Sequence, residues 1–177
     1  MKYLLMCEGP NELEIIRMLL EHNRLIFTAD DLLNLTPYHA RQIVSNPTVK
    51  TALNLYYGEV KVLRIGDKLN EELKIPKEYK GKIKGVEKYC TKPELEMLLI
   101  ISEELNGKFE KEKSKKSPKS FSKENIVYNK KHYDNSTAFY RDYYGHRIDL
   151  LVNTIKKYKQ IKGKHHKDEL YLADLIK

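Results

Sequence analysis

The first 25 residues limit the fold most strongly, because they predict a buried strand that turns directly into an amphipathic helix. Residues 2–9 read KYLLMCEG, a short apolar run that ends in an acid and a glycine. A helix pattern covers residues 11–25, with Pro10 at the turn and Asn11 as the predicted N-cap. Apolar residues at helical spacing form its predicted buried face: Leu13, Ile15, Ile16, Met18, Leu19 and Leu20.

Two carboxylates lie at this turn. Glu8 ends the predicted strand, at the edge of a sheet where open α/β folds place their ligands. Glu12 follows four residues later at the start of the helix, so both side chains can face one point. A purely structural explanation stays open, because acids near a helix N-terminus are favoured by the helix dipole alone.

A second strand pattern has the same kind of ending. Residues 59–65 read EVKVLRI, which alternates polar and apolar positions, and Gly66 and Asp67 follow directly. If both strands are parallel members of one sheet, Glu8 and Asp67 become neighbours at a common edge.

The segment from Leu4 to Glu12, LLMCEGPNE, resembles the opening motif of the Toprim fold, a hydrophobic strand followed by EGxxE or EGxxD. Topoisomerases, primases, OLD-family nucleases and small ribosomal-RNA maturation nucleases share that fold. The resemblance implies an α/β, Rossmannoid domain with a parallel-type central sheet flanked by helices. It extends over residues 1–106 of this chain.

The resemblance also implies a site for Mg²⁺ or Mn²⁺. Glu8 would be the general base or a metal ligand, Asp67 a principal ligand and Glu12 a ligand directly or through water. In the Toprim pattern a later strand ends in DxD, whereas this chain has Leu69 where the second aspartate is expected. Glu94 would be a further ligand or an outer contributor.

Residues 89–104, YCTKPELEMLLIISEE, predict the clearest helix after the first. Thr91 is its expected N-cap, and Glu94 completes a capping-box spacing, which needs a glutamate without any chemistry. The alternative is that Glu94 or Glu96 approaches the other acids from a helix start at the sheet edge.

The charge distribution suggests a polyanionic partner, with nucleic acid, RNA or DNA, as the leading candidate. The formal net charge is +8, but residues 108–167 hold 17 Lys and Arg against 6 Asp and Glu, a net of +11, which leaves −3 elsewhere. A lysine-rich surface with no such role is the alternative. The predicted contacts with nucleic acid are Lys68, Lys92, Arg141, Arg147, Lys156 and Lys157.

Residues 107–135 are expected to form a lysine-rich loop or linker, because KFEKEKSKKSPKSFSK contains few apolar residues. Residues 136–177 are expected to form a basic helical part that packs on the first domain. Its long helix, residues 136–161, would bury Phe139 and Tyr143 and leave Tyr140 and Tyr144 on other faces, where rings among basic residues suit a nucleic-acid strand.

The composition favours a cytoplasmic protein with no membrane contact. No apolar run approaches the roughly 20 residues that a membrane span needs, and the opening stretch lacks a signal-peptide cleavage site. Cys7 and Cys90 are expected to be reduced and mostly buried.

The sequence therefore predicts a Mg²⁺-dependent nuclease that cleaves phosphodiesters of RNA or DNA. The stand-alone Toprim proteins that it resembles suggest a phage-defence or toxin effector, held by a protein partner or inhibitor. Two alternatives remain: a non-catalytic nucleic-acid-binding module with a degenerate site, favoured by the missing second aspartate, and a partner-docking subunit of a larger assembly.

Overall fold

The structure is a computed structural model that describes residues 1–67, 70–161 and 166–177. In this part of the chain the strands are β1 (Lys2–Cys7), β2 (Tyr38–His39), β3 (Val60–Gly66), β4 (Ile83–Cys90), β5 (Val127–Tyr128), β6 (Lys131–His132) and β7 (Glu169–Tyr171). The α-helices are α1 (Pro10–Glu21), α2 (Pro47–Leu55), α3 (Met97–Ser102), α4 (Asn106–Glu112), α5 (Pro118–Asn125), α6 (Thr137–Tyr144) and α7 (Ile148–Ile161). Short 3-10 helices lie at Ala29–Asp31, Leu33–Leu35, Lys77–Tyr79 and Leu172–Leu175.

The central sheet of the described chain has five strands in the order β2-β1-β3-β4-β7. Every neighbouring pair in it is parallel. β5 and β6 form a separate antiparallel hairpin. The predicted α/β class, with a parallel sheet flanked by helices, is therefore confirmed.

Alternation along the central strands divides the core between the two faces of the sheet. On β1, Leu5 and Cys7 join the cluster that contains α1, α3, α6 and α7, whereas Leu4 and Met6 join the cluster that contains α2. A sheet covered on both faces explains the continuous apolar run from Leu4 to Cys7 on β1. Cys7 and Cys90 are buried free thiols, as predicted.

The N-cap of α1 lies two residues earlier than the sequence predicts. Gly9 is its N-cap in an extended conformation, and Pro10 occupies the first turn, so the prediction of Asn11 as the cap is wrong. This shift frees the Asn11 side chain for other contacts. The predicted buried face is otherwise correct, except that Leu20 is only partly buried.

The predicted helix over residues 89–104 is wrong at its start. Tyr89 and Cys90 end β4, and the helix begins only at Met97. Thr91 follows the strand, where its backbone amide donates to the carbonyl of Gly66 at 3.1 Å. Because Thr91 extends the pairing of β4 with β3, it cannot cap a helix, and the capping-box role of Glu94 falls with it.

The lysine-rich segment is folded, which corrects its assignment as a loop or linker. It holds α4 and α5, and each helix buries one phenylalanine against the main core. The rings of Phe109 and Phe121 meet edge to face with their centroids 5.3 Å apart. Two well-placed aromatic rings thus anchor a segment whose other residues are mostly polar.

The C-terminal part contributes to the same sheet and core. The predicted helix over residues 136–161 is interrupted at Gly145, so that α6 packs beside α1 while α7 packs along α3. Tyr140 and Tyr144 are fully buried, which corrects their expected exposure. They are packing residues that no nucleic-acid base can reach. β7 then adds the last strand, beside β4.

Candidate active site

The register of β1 and β3 brings two of the predicted acids to one edge of the sheet. Cys7 lies opposite Ile65, and the backbone amide of Glu8 donates to the Ile65 carbonyl at 2.8 Å. Because the strands are parallel neighbours, Glu8 and Asp67 both follow the carboxyl end of the sheet.

Gly66 leaves the space that the Glu8 side chain occupies. A Cβ atom added at Gly66 would lie 2.6 Å from the Cβ of Glu8 and closer still to its Oε2. A residue with any side chain at position 66 would therefore push Glu8 aside. The Gly66-Asp67 ending of β3 therefore places Asp67 beside Glu8 and also leaves the space for the Glu8 side chain.

Glu12 approaches the same edge from the first turn of α1. A Cβ atom added at Gly9 would lie 2.5 Å from its Oε2, so the carboxylate folds back over the turn. Burial raises the pKa of Glu12 to about 7; a backbone hydrogen bond opposes this rise, and the charges of Asp67, Glu8 and Glu96 add to it. These four acids are close enough to repel one another.

The segment between β4 and α3 supplies two further carboxylates. Glu94 accepts a hydrogen bond of 2.9 Å from the backbone amide of Lys119, in the first turn of α5. Glu96 is only 3 % exposed and accepts a hydrogen bond of 2.7 Å from the hydroxyl of Tyr133. Burial raises the pKa of Glu96, although the bond from Tyr133 lowers it in part.

All five acids line one cavity of about 240 Å³ at the carboxyl edge of the sheet: Glu8, Glu12, Asp67, Glu94 and Glu96. Two cations share its wall. The Nε of Arg41 lies 3.8 Å from Glu8 Oε1, and the Nζ of Lys119 lies 3.9 Å from Glu96 Oε1. A cavity with converging carboxylates and cations at its rim suits a phosphate group bound through a metal ion.

Asn11 and Asn135 complete the polar wall. The Nδ2 of Asn11 donates to the Asn135 carbonyl and to its Oδ1, both at 3.2 Å. The Tyr133 hydroxyl also contacts Asn135 Oδ1 at 3.1 Å, which connects this pair to Glu96. The buried Oδ1 of Asn11 has no hydrogen-bond partner among the described residues, so the site has unused capacity to accept a bond.

The donor set suits Mg²⁺ or Mn²⁺ in its chemistry. Among the described residues, no three histidine, cysteine, aspartate or glutamate side chains form a ready-made metal-binding group. The cavity nevertheless offers carboxylate and amide oxygens, the donors that a hard cation takes, and Mg²⁺ keeps several waters and needs few protein ligands. Burial is the main cause of the raised pKa of Glu12, and a bound cation would relieve the repulsion from neighbouring acids that adds to it.

Sequence reasoning missed the cations of this cavity. The sequence predicts a helix at residues 37–44, on which Arg41 could meet a phosphate but is expected to be a surface residue. Instead Arg41 follows β2, and its Nε also donates to the Glu8 carbonyl at 3.4 Å. Lys119 sits in the segment assigned as a linker. No local pattern marks it, because its place depends on α5 packing beside residues 94–96.

Three of the predicted nucleic-acid contacts are engaged in internal interactions instead. Lys92 donates to both carboxylate oxygens of Glu169, at 2.8 and 2.9 Å, and Arg141 pairs with two glutamates of α1. Arg147 lies over two tyrosine rings, 4.5 and 4.1 Å from their centroids.

Two of the remaining predicted contacts, Lys156 and Lys157, do not line the cavity. Lys156 donates to the Lys177 carbonyl at 3.2 Å, and Lys157 is exposed on α7. Lys68 falls outside the described residues.

Comparisons with known proteins give no match to any family model, curated protein or solved structure. Within the described part of the chain, no helix combines the length and the apolar character needed to cross a membrane. The function therefore has to be argued from the site itself.

Proposed function

We propose that the protein is a metal-dependent nuclease whose active site is the acidic cavity at the carboxyl edge of the sheet. One observation carries this proposal: acids from three separate parts of the chain, residues 8–12, 67 and 94–96, line one small cavity together with Arg41 and Lys119. A carboxylate such as Glu12, whose pKa is raised by burial and by neighbouring acids in a cavity, is typical of functional sites.

In the proposed site, Glu8, Glu12 and Asp67 hold the ion, and Glu94 supports them from the rim. The bound ion would supply Lewis acidity and lower the pKa of a bound water, so that a nearby carboxylate can take its proton. Glu8 is the candidate to accept the proton of the attacking water as the bond between phosphorus and the leaving oxygen breaks. The resemblance of residues 4–12 to the Toprim motif supports these assignments.

Arg41 and Lys119 are the proposed partners of the phosphate oxygens. Arg41 is largely exposed at the rim, so a phosphate can reach its guanidinium. Lys119 is held by its backbone bond to Glu94, which fixes where its side chain starts. These cations take the place that the sequence suggested for Lys92, whose side chain pairs with Glu169 instead. A phage-defence or toxin effector controlled by a protein partner is the setting proposed for such an enzyme.

The test is cleavage of labelled RNA and DNA, single-stranded and duplex, by the purified chain in Mg²⁺, Mn²⁺ or EDTA. Metal-dependent cleavage is expected, and Glu8→Gln should lower its rate at least about 100-fold. Glu59→Gln is the matched control, because Glu59 is a largely exposed acid at the start of β3, away from the cavity. No cleavage in either metal, or equal rates for both variants, would refute the proposal.

A non-catalytic nucleic-acid-binding module is the second candidate. It is favoured by Leu69 in place of an acid and by the lack of a ready-made metal group among the described residues. This candidate predicts binding that persists in EDTA, weakens steeply with salt and leads to no cleavage.

A further inference from the structure

A second and larger cavity, of about 740 Å³, shares two stretches of wall with the acidic cavity. Pro93 and Met97 line the larger cavity, while Glu94, between them in sequence, lines the acidic one. At the start of α5, Pro118 likewise lines the larger cavity and Lys119 lines the acidic one. A ligand long enough to extend past residues 93–97 and the first turn of α5 can therefore occupy both cavities.

The larger cavity has an apolar part that suits a flat, ring-sized group. Met97, Phe109 and Tyr158 contribute buried side chains to its wall, and Ile161 stands at its margin with 43 % of its surface exposed. Its volume lies within the range of about 300–1,000 Å³ that is typical of small-molecule sites. Exposed aliphatic surface beside such a cavity favours a ligand that covers it.

Three lysines give the same cavity a basic side: Lys113, Lys115 and Lys116. Lys113 is paired with Glu110, and Lys116 is paired with two other acids. Lys115 is exposed and makes no ion pair with a described residue. A cation of this kind next to an apolar pocket fits a ligand that carries a negative charge beside a flat ring.

We propose that this cavity holds one unpaired nucleotide of a single-stranded nucleic acid whose neighbouring phosphodiester lies in the acidic cavity. This inference rests on the proposed nuclease function and gives it a substrate class. The base lies against the apolar wall, and its phosphate is met by Lys115. A base paired within a duplex cannot enter unless it leaves the stack, which costs a few kcal/mol.

The test is fluorescence anisotropy with the full chain and a labelled single strand of about ten nucleotides. EDTA prevents cleavage, and a duplex of the same sequence serves for comparison. We expect the single strand to bind at least about tenfold more tightly than the duplex. Lys115→Glu and Ile161→Glu should each weaken single-strand binding at least about fivefold, because they reverse a phosphate contact and charge the apolar margin.

Two matched variants control for charge and for hydrophobicity. Lys80→Glu makes the same charge reversal at an exposed lysine that lines neither cavity, and Ile26→Glu does the same for an isoleucine that is 59 % exposed. Both should change the affinity less than about twofold. Thermal unfolding of all four variants checks that each one is folded.

Three results would overturn the inference. Two of them are equal binding of duplex and single strand, and equal affinities of test and control variants. The third is displacement of the labelled strand by adenosine monophosphate at a concentration as low as that of unlabelled oligonucleotide. The last result would identify a site for free nucleotides. If the wild type cleaves nucleic acid while Lys115→Glu and Ile161→Glu bind normally, only this inference fails. If the variants lose binding but no protein cleaves, the nuclease proposal fails and the strand-binding site stands.

Discussion

Gly66 at the end of β3 lies directly against the side chain of Glu8 at the end of β1. The space for the Glu8 carboxylate exists only because position 66 lacks a Cβ atom, which would lie 2.6 Å from the Cβ of Glu8. This relationship joins the two strand ends on which the proposed site depends.

Replacing Gly66 with alanine should displace Glu8 and damage the site. We expect Gly66→Ala to lower the free energy of unfolding by about 1–3 kcal/mol, the usual cost of overpacking, and to abolish metal-dependent cleavage. Gly85→Ala is the control, because a Cβ there meets nothing within 4 Å and should change stability by no more than about 0.5 kcal/mol. Urea unfolding measures the stability of both variants. Equal stability of Gly66→Ala and Gly85→Ala would refute the close packing of Gly66 against Glu8.

Replacing Glu12 with glutamine should stabilise the metal-free protein at high pH. Burial holds the pKa of Glu12 near 7 in the folded chain, above its ordinary value of 4.5, so the folded state retains the proton more strongly than the unfolded state. Glu12 therefore destabilises the fold increasingly as pH rises from about 4.5 through 7. We expect Glu12→Gln to be more stable than wild type by about 1–3 kcal/mol at pH 8 in EDTA.

The measurement for Glu12 is urea unfolding at several pH values. Near pH 4 the difference from wild type should vanish, since the glutamate is then protonated in both states. Glu59→Gln should show no comparable trend, because Glu59 is largely exposed. A constant difference between Glu12→Gln and wild type from pH 4 to 8 would contradict the burial of Glu12 among the acids of the cavity.

Lys92 should prove to be a structural residue, contrary to its predicted contact with nucleic acid. Its partner Glu169 has a side chain only 4 % exposed, so Lys92→Met would remove the cation from a buried carboxylate whose charge the 3.3 Å bond from the His166 backbone amide does not neutralise. We expect a loss of about 2–4 kcal/mol in the free energy of unfolding. Lys88→Met, which breaks an exposed pair with Asp168, should cost no more than about 1 kcal/mol.

Chemical denaturation separates the two interpretations of Lys92. If Lys92→Met keeps wild-type stability but binds nucleic acid less tightly than Lys88→Met, the interpretation from sequence was right and the structural one wrong.

The sequence predicted the two strand ends because the signal there is local. Apolar runs ending in Glu8-Gly9 and Gly66-Asp67 mark strands, and parallel strands release their last residues at one edge. Lys119 could not be predicted, because its position depends on α5. Phe121 is the aromatic residue that packs this helix against the core. A single buried ring in a lysine-rich stretch resembles a solvated loop.

The error at residues 89–104 has a different cause. Tyr89 and Cys90 are apolar residues that suit a strand or a helix, and Thr91 with Glu94 matches a helix-capping pattern. Pairing of β4 with β3 through Cys90 decides between the two, and this pairing is tertiary information. The same pairing carries Glu94 and Glu96 to the wall of the cavity without the predicted helix start, and their role as ligands stays a prediction.

Binding of Mn²⁺ to the full chain, followed by electron paramagnetic resonance, tests the proposed metal site most directly. Wild type should bind the ion, and Asp67→Asn should weaken binding at least about tenfold, since even residues that only support metal ligands cost 10–100-fold when replaced. Glu59→Gln should bind as wild type does. Absence of Mn²⁺ binding by wild type, or equal affinities of wild type and Asp67→Asn, would contradict the assignment of this cavity as a metal-dependent active site.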